Sequence, residues 1–91
     1  MSYSFATIQD APDITIPQGK RIYLTYEYKW GSTRREISIE KKIPLQIHLK
    51  DLLKIEQLGL RNAYRSRQVD LGGVPPTLEN IQVVEIPVDW D

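Results

Sequence analysis

The chain contains no cysteine, so disulfides, thiol catalysis and cysteine-ligated zinc or iron-sulfur centres are excluded from the outset. A single histidine, His48, rules out an ordinary histidine-rich metal site. No stretch approaches the ~18 consecutive apolar residues of a membrane-crossing helix. The first residues, Met-Ser-Tyr-Ser-Phe-Ala, have neither the basic start nor the apolar run of a secretory leader, which leads to the expectation of a cytoplasmic protein with no membrane partner.

What is present reads as an ordinary soluble globular chain. Hydrophobic residues make up 41% and charged residues 26% of 91 positions, which fits one domain spanning residues 1–91. A chain this short buries roughly 60% of its unfolded surface, so any extended apolar face is needed inside. The formal net charge of zero conceals a partition. All twelve lysines and arginines lie between Lys20 and Arg67, with only Glu27, Glu36, Glu40, Asp51 and Glu56 among them, a balance of +7. The flanking segments carry the compensating acids, including Asp13, Glu79, Glu85 and Asp89. Such a middle is either a basic working surface with acidic ends, or a surface that the ends neutralise by folding back over it.

The clearest local pattern is RIYLTYEYKW, residues 21–30. Ile22, Leu24, Tyr26, Tyr28 and Trp30 alternate with Tyr23, Thr25, Glu27 and Lys29, the period of a half-buried strand. Ile37 and Ile39 on the return strand fall on odd positions, so placing them on the same face demands paired residue numbers with an odd sum. A two-residue loop at Gly31-Ser32 satisfies this but sets Glu27 against Glu36 and Lys29 against Arg34. The four-residue loop 31–34 also satisfies it, pairs Lys29 with Glu36, and is the expected register. Odd-position alternation continues through Ile43, Leu45, Ile47 and Leu49, as one bulged strand or as a second strand after a break near Lys41-Lys42.

Upstream, Ile14-Thr15-Ile16 between Pro12 and Pro17 reads as a short edge strand. Asp51 is an N-cap candidate for a helix whose spacing runs through Leu52, Leu53, Ile55 and Glu56. The helix either stops at Gly59, with Leu60 packing just beyond, or continues to Arg67. A breaker-rich loop, 69–80, precedes a last strand around 81–90, where Pro87 marks an edge or an end. The expectation is an α+β fold: a small, mainly antiparallel sheet with one helix, in the order β(β)β-α-β.

No constellation names a reaction. Glu36 and Glu40 sit among lysines like members of cross-strand ion pairs, and no histidine stands at predictable range of Ser32 or Ser66. The Gly72-Gly73 pair lacks the lysine and hydroxyl residue of a phosphate loop. The chain therefore reads as non-enzymatic, with no cofactor and no metal.

Two binding surfaces compete. In the first, an apolar, acidic C-terminal segment with Glu85, Asp89 and Trp90 meets a basic middle on another protein or a second copy, in keeping with a homo-oligomer. In the second, Lys29, Arg34, Arg35, Arg61, Arg65 and Arg67 contact nucleic-acid phosphates while Tyr28, Trp30 or Tyr64 stack on bases. Residues 54–67 also have the layout of a helix-turn-helix, a helix and a glycine turn followed by Arg, Asn and Ser. After Leu60, however, only Ala63 and Tyr64 are there to anchor a second helix. The protein-contact reading is the leading one, and nucleic-acid binding is the alternative.

Overall fold

The computed structural model describes residues 2–30, 33–67 and 76–87, with main chain alone at Trp30 and residues 64–67. Strand β1 (Ser2–Phe5), a 3₁₀ turn (Ile8–Asp10) and β2 (Thr15–Ile16) lead into a long hairpin, β3 (Arg21–Trp30) and β4 (Thr33–Lys42). There follow β5 (Ile47–His48), helix α1 (Leu49–Arg67) and β6 (Glu79–Ile86). The main sheet has the order β1-β6-β3-β4 and is antiparallel throughout, while β2 and β5 form a separate two-stranded ribbon. The architecture is α+β, with the helix on one face of the sheet. No helix among the described residues is long and apolar enough to cross a membrane.

Alternation in β3 decides which face is inner. Ile22, Leu24, Tyr26 and Tyr28 are buried, together with Ile81 and Val83 of β6 and with Leu49, Leu52 and Leu53 of α1. The aromatic row is thus core, with the Tyr26 and Tyr28 rings tilted against each other at 6.4 Å. Fully burying a leucine or isoleucine contributes about 1.5–3 kcal/mol, so this face outweighs any other single term in a chain of this length.

The hairpin register differs from the sequence expectation. Leu24 pairs with Ile39, Tyr26 with Ile37 and Trp30 with Thr33, which leaves two residues between the strands rather than four. Glu27 does stand opposite Glu36, and Lys29 opposite Arg34. Both registers have odd sums and bury the same residues, so the core is indifferent between them. The charges are resolved diagonally. Arg34 reaches Glu27 and Glu79, each at 3.0 Å, and Arg21 binds Glu40 through Nε at 3.1 Å and Nη2 at 2.5 Å. Glu79 comes from a third strand that the hairpin sequence does not contain.

Strand β6 is neither an edge nor a free tail. It lies between β1 and β3, and Pro87 follows its end. The pairing shifts between Thr25 and Glu27, where Asn80 and Ile81 stand against the single residue Tyr26. Asn80 takes φ +49°, a left-handed conformation that asparagine tolerates, and the bulge lets Ile81 point inward while Glu79 points outward to Arg34.

Helix α1 passes straight through Gly59, so residues 54–67 form one helix and not a helix-turn-helix. It starts at Leu49, ahead of Asp51, which occupies the first turn and favours the helix dipole there instead of capping it. The cap contact comes from His48, whose Nδ1 accepts a hydrogen bond from the Lys50 amide at 3.3 Å. The ribbon after β4 follows the break reading: β4 ends at Lys42, Ile43 is buried, and pairing resumes at Ile47. Strand β1 is an addition to the expected plan.

A Cβ added at Gly59 would meet no atom within 4 Å, and the residue is helical. Gly59→Ala is therefore expected to raise unfolding stability by about 0.5–1 kcal/mol, read from urea denaturation midpoints at unchanged slope.

Candidate functional site

The hairpin tip gathers several of the residues picked from the sequence. Lys29 is exposed on the outer face opposite Arg34, while Arg35 lies opposite Tyr28 on the inner side and is exposed. The guanidinium of Arg34 is not free for a ligand. It lies between Glu27 and Glu79, whose hydrogen bonds and charge raise its pKa further. Tyr28 is buried, which withdraws it from any stacking role. The Trp30 side chain lies outside the described residues.

The helix begins near the base of the hairpin, where the Leu49 amide donates to the Ile14 carbonyl at 2.9 Å, and passes Tyr26 at Glu56. Its later turns therefore lead toward the hairpin tip. Arg61 is exposed there. The side chains of Tyr64, Arg65 and Arg67 lie outside the described residues, as do Asp89 and Trp90 altogether. Glu85 is opposite Ile22, half-buried at the end of the β6 strand. The stretch 81–86 is thus committed to its own sheet and is not a free segment for another chain. The charge partition also closes in part within the chain, because Glu79 from the acidic end neutralises Arg34 of the basic middle.

Sequence reasoning missed two polar clusters. Glu56, with 15% of its side chain exposed, accepts the Tyr26 hydroxyl at 2.9 Å and pairs with Lys41 Nζ at 2.9 Å. Burial, then the hydrogen bond to Glu56, pushes the Tyr26 hydroxyl far above its ordinary pKa. The signal was present in Glu56 itself, a charged residue on the inward face of an amphipathic helix, although its partners lie on different strands. In the second cluster His48 Nε2 faces the exposed Asp13 carboxylate, tying the β2 segment to the helix start.

Neither cluster is on the wall of the grooves found among the described residues. The described grooves are open, one beside Ser4, Asn80 and Gln82, the other of about 400 Å³ between the 3₁₀ turn and α1, with Lys54 and Gln57 on its wall. Among the described residues no three His, Asp or Glu side chains gather as a metal would require.

The surface that stands out is β4. It is outermost in the sheet, ten residues long, mostly exposed, and paired only with β3. The amide of Ile43 just beyond it donates back to the Lys20 carbonyl at 2.8 Å. By alternation, odd-numbered residues of β4 turn their main-chain groups to β3, and Arg34, Glu36, Ser38, Glu40 and Lys42 turn theirs to the open side. Separately, Ile55 (60% exposed) and Leu58 (58%) stand one turn apart on α1, and Leu45 (71%) is exposed in the preceding loop. Fold and surface together define a two-layer α+β domain whose sheet ends in β1, of four residues, on one side and in the ten-residue β4 on the other. No family model, curated protein or solved structure matches the chain.

Two outcomes follow. Tyr26→Phe leaves the half-buried Glu56 with Lys41 alone and is expected to cost about 1.5 kcal/mol by chemical denaturation. The carboxyl of Asp13 is held below its usual range, mainly by the His48 hydrogen bond, then by His48 charge. Its contribution is thus present above about pH 4 and lost as pH falls through the lowered value. Asp13→Asn should flatten that acid limb in stability measured against pH.

Proposed function

We propose that this chain is a non-enzymatic interaction module whose work is contact with another protein or with a copy of itself, made through the open edge of β4. The observation that carries the reading is a ten-residue edge strand with main-chain donors and acceptors unpaired on one side. Strand addition to such an edge supplies a row of hydrogen bonds, and alternate side chains supply selectivity. Ile37 and Ile39, only half-buried on its inner face, offer apolar surface to an added strand. Exposed Ile55, Leu58 and Leu45 fit a surface that meets protein, since such side chains are otherwise left in water. A cytoplasmic setting belongs to the same reading.

The rival is nucleic-acid binding by Lys29, Arg35, Arg61 and the end of α1. Neutralisation of Arg34 by two carboxylates and of Arg21 by Glu40 counts against it. The test is tryptophan fluorescence during titration with single-stranded and duplex oligonucleotides at low and near-physiological salt, with solution mass recorded alongside. The expected result is no saturable change and a mass above that of the monomer. A saturable signal that weakens steeply with salt would overturn the protein-contact reading.

A further inference from the structure

Residues 34–42 read Arg-Arg-Glu-Ile-Ser-Ile-Glu-Lys-Lys, a charge palindrome centred on Ser38. Two members of it are unfavourable inside their own chain. Glu36 stands directly opposite Glu27, and Lys42 directly opposite Arg21. Arg34 serves Glu27 and Glu79, Glu40 serves Arg21, and Lys41 serves Glu56. Among the described residues no ion pair reaches Glu36 or Lys42, and both direct their main-chain groups to the open edge.

Consider two β4 edges brought together antiparallel about a two-fold axis. Such pairing joins residues of the same parity, so both helices stay on one side and the four-stranded sheet doubles. Centred on Ser38, the palindrome opposes Arg34 to Lys42, Arg35 to Lys41 and Glu36 to Glu40, every one a like-charge pair. Centred on Ile37, it sets Arg34 against Glu40, two groups already neutralised within the chain. Centred on Ile39, it sets Glu36 against Lys42 twice, by symmetry, with Ile39 meeting Ile39 on the inner face. Of the three, only the last register supplies a counter-ion to both Glu36 and Lys42, while Arg35 faces Ile43 in it.

We propose that β4 pairs antiparallel with β4 of a second copy of this chain, in the register that opposes Glu36 to Lys42 of the other copy. This rests on the protein-contact reading and names its partner. Glu36 and Lys42 are then retained for the interface in spite of their cost to the hairpin.

The test is charge reversal in the full chain, with dimerisation followed by sedimentation over a concentration series. Glu36→Lys and Lys42→Glu each create two like-charge pairs across the interface and should weaken dimerisation about tenfold. Within the chain each reversal puts an opposite charge against Glu27 or Arg21, so the fold is not weakened, as circular dichroism would verify. The double variant Glu36→Lys/Lys42→Glu should return to within about threefold of the parent. A parent that stays monomeric at every concentration, or single reversals without effect, or a double variant without rescue, would overturn the proposal. Ser38→Pro, which removes an amide from the open edge, separates the two levels of failure. If it dissolves a dimer that the single reversals leave intact, the edge is used in another register and the protein-contact reading stands. If it too has no effect, assembly lies elsewhere and the β4 reading falls as well.

Discussion

The even-numbered face of β3 is the constraint on which the rest of the molecule depends. Ile22, Leu24, Tyr26 and Tyr28 must leave water together, and among the described residues α1 is the one α-helix there to cover them. That requirement fixes the parity of both neighbours: Ile37 and Ile39 of β4 on one side, Val83 of β6 on the other. It also fixes which face of α1 turns inward, through Leu49, Leu52 and Leu53. Glu56 lies on that same side, held by the Tyr26 hydroxyl and Lys41 in place of water.

Parity leaves the precise register open, and electrostatics on the outer face closes it. Pairing Glu27 with Glu36 looks prohibitive when the hairpin is considered by itself. The bulge at Asn80 turns Glu79 outward, Arg34 then spans two strands, and the repulsion falls to a level the sheet can carry. Lys29 opposite Arg34 near the tip, and Glu36 and Lys42 on the open edge, keep like-charge neighbours with no ion pair of their own among the described residues. The cost carried by Glu36 and Lys42 on the open edge is what links the fold to the functional reading.

How much of this was legible in the sequence follows from how local each signal is. The β3 alternation, the helix spacing from Leu52 onward and the α+β class rest on neighbouring residues and were readable. The loop length was not, because the deciding residue, Glu79, is 45 positions from Arg34. Gly59 looked like a terminator since glycine is common there, yet Leu60 packs against the core and carries the helix on. The placement of β6 in the sheet interior was hidden by Pro87, which signals an end as readily as an edge. Of the residues picked for binding, Tyr28 proved to be core and Arg34 an internal clamp, while Lys29, Arg35 and Arg61 are exposed as expected. Exposure can be inferred from charge, but whether a charge is already spoken for depends on contacts between strands.

On the proposed reading β4 is the working surface of the domain, and its open amides report on that directly. Hydrogen exchange resolved by residue, taken at low and high protein concentration, compares Glu36, Ser38, Glu40 and Lys42 with the inward-bonded Ile37 and Ile39. Pairing between copies predicts that the even-numbered amides slow as concentration rises while the odd-numbered ones stay slow throughout. Fast exchange at all four even positions, at every concentration, would contradict it.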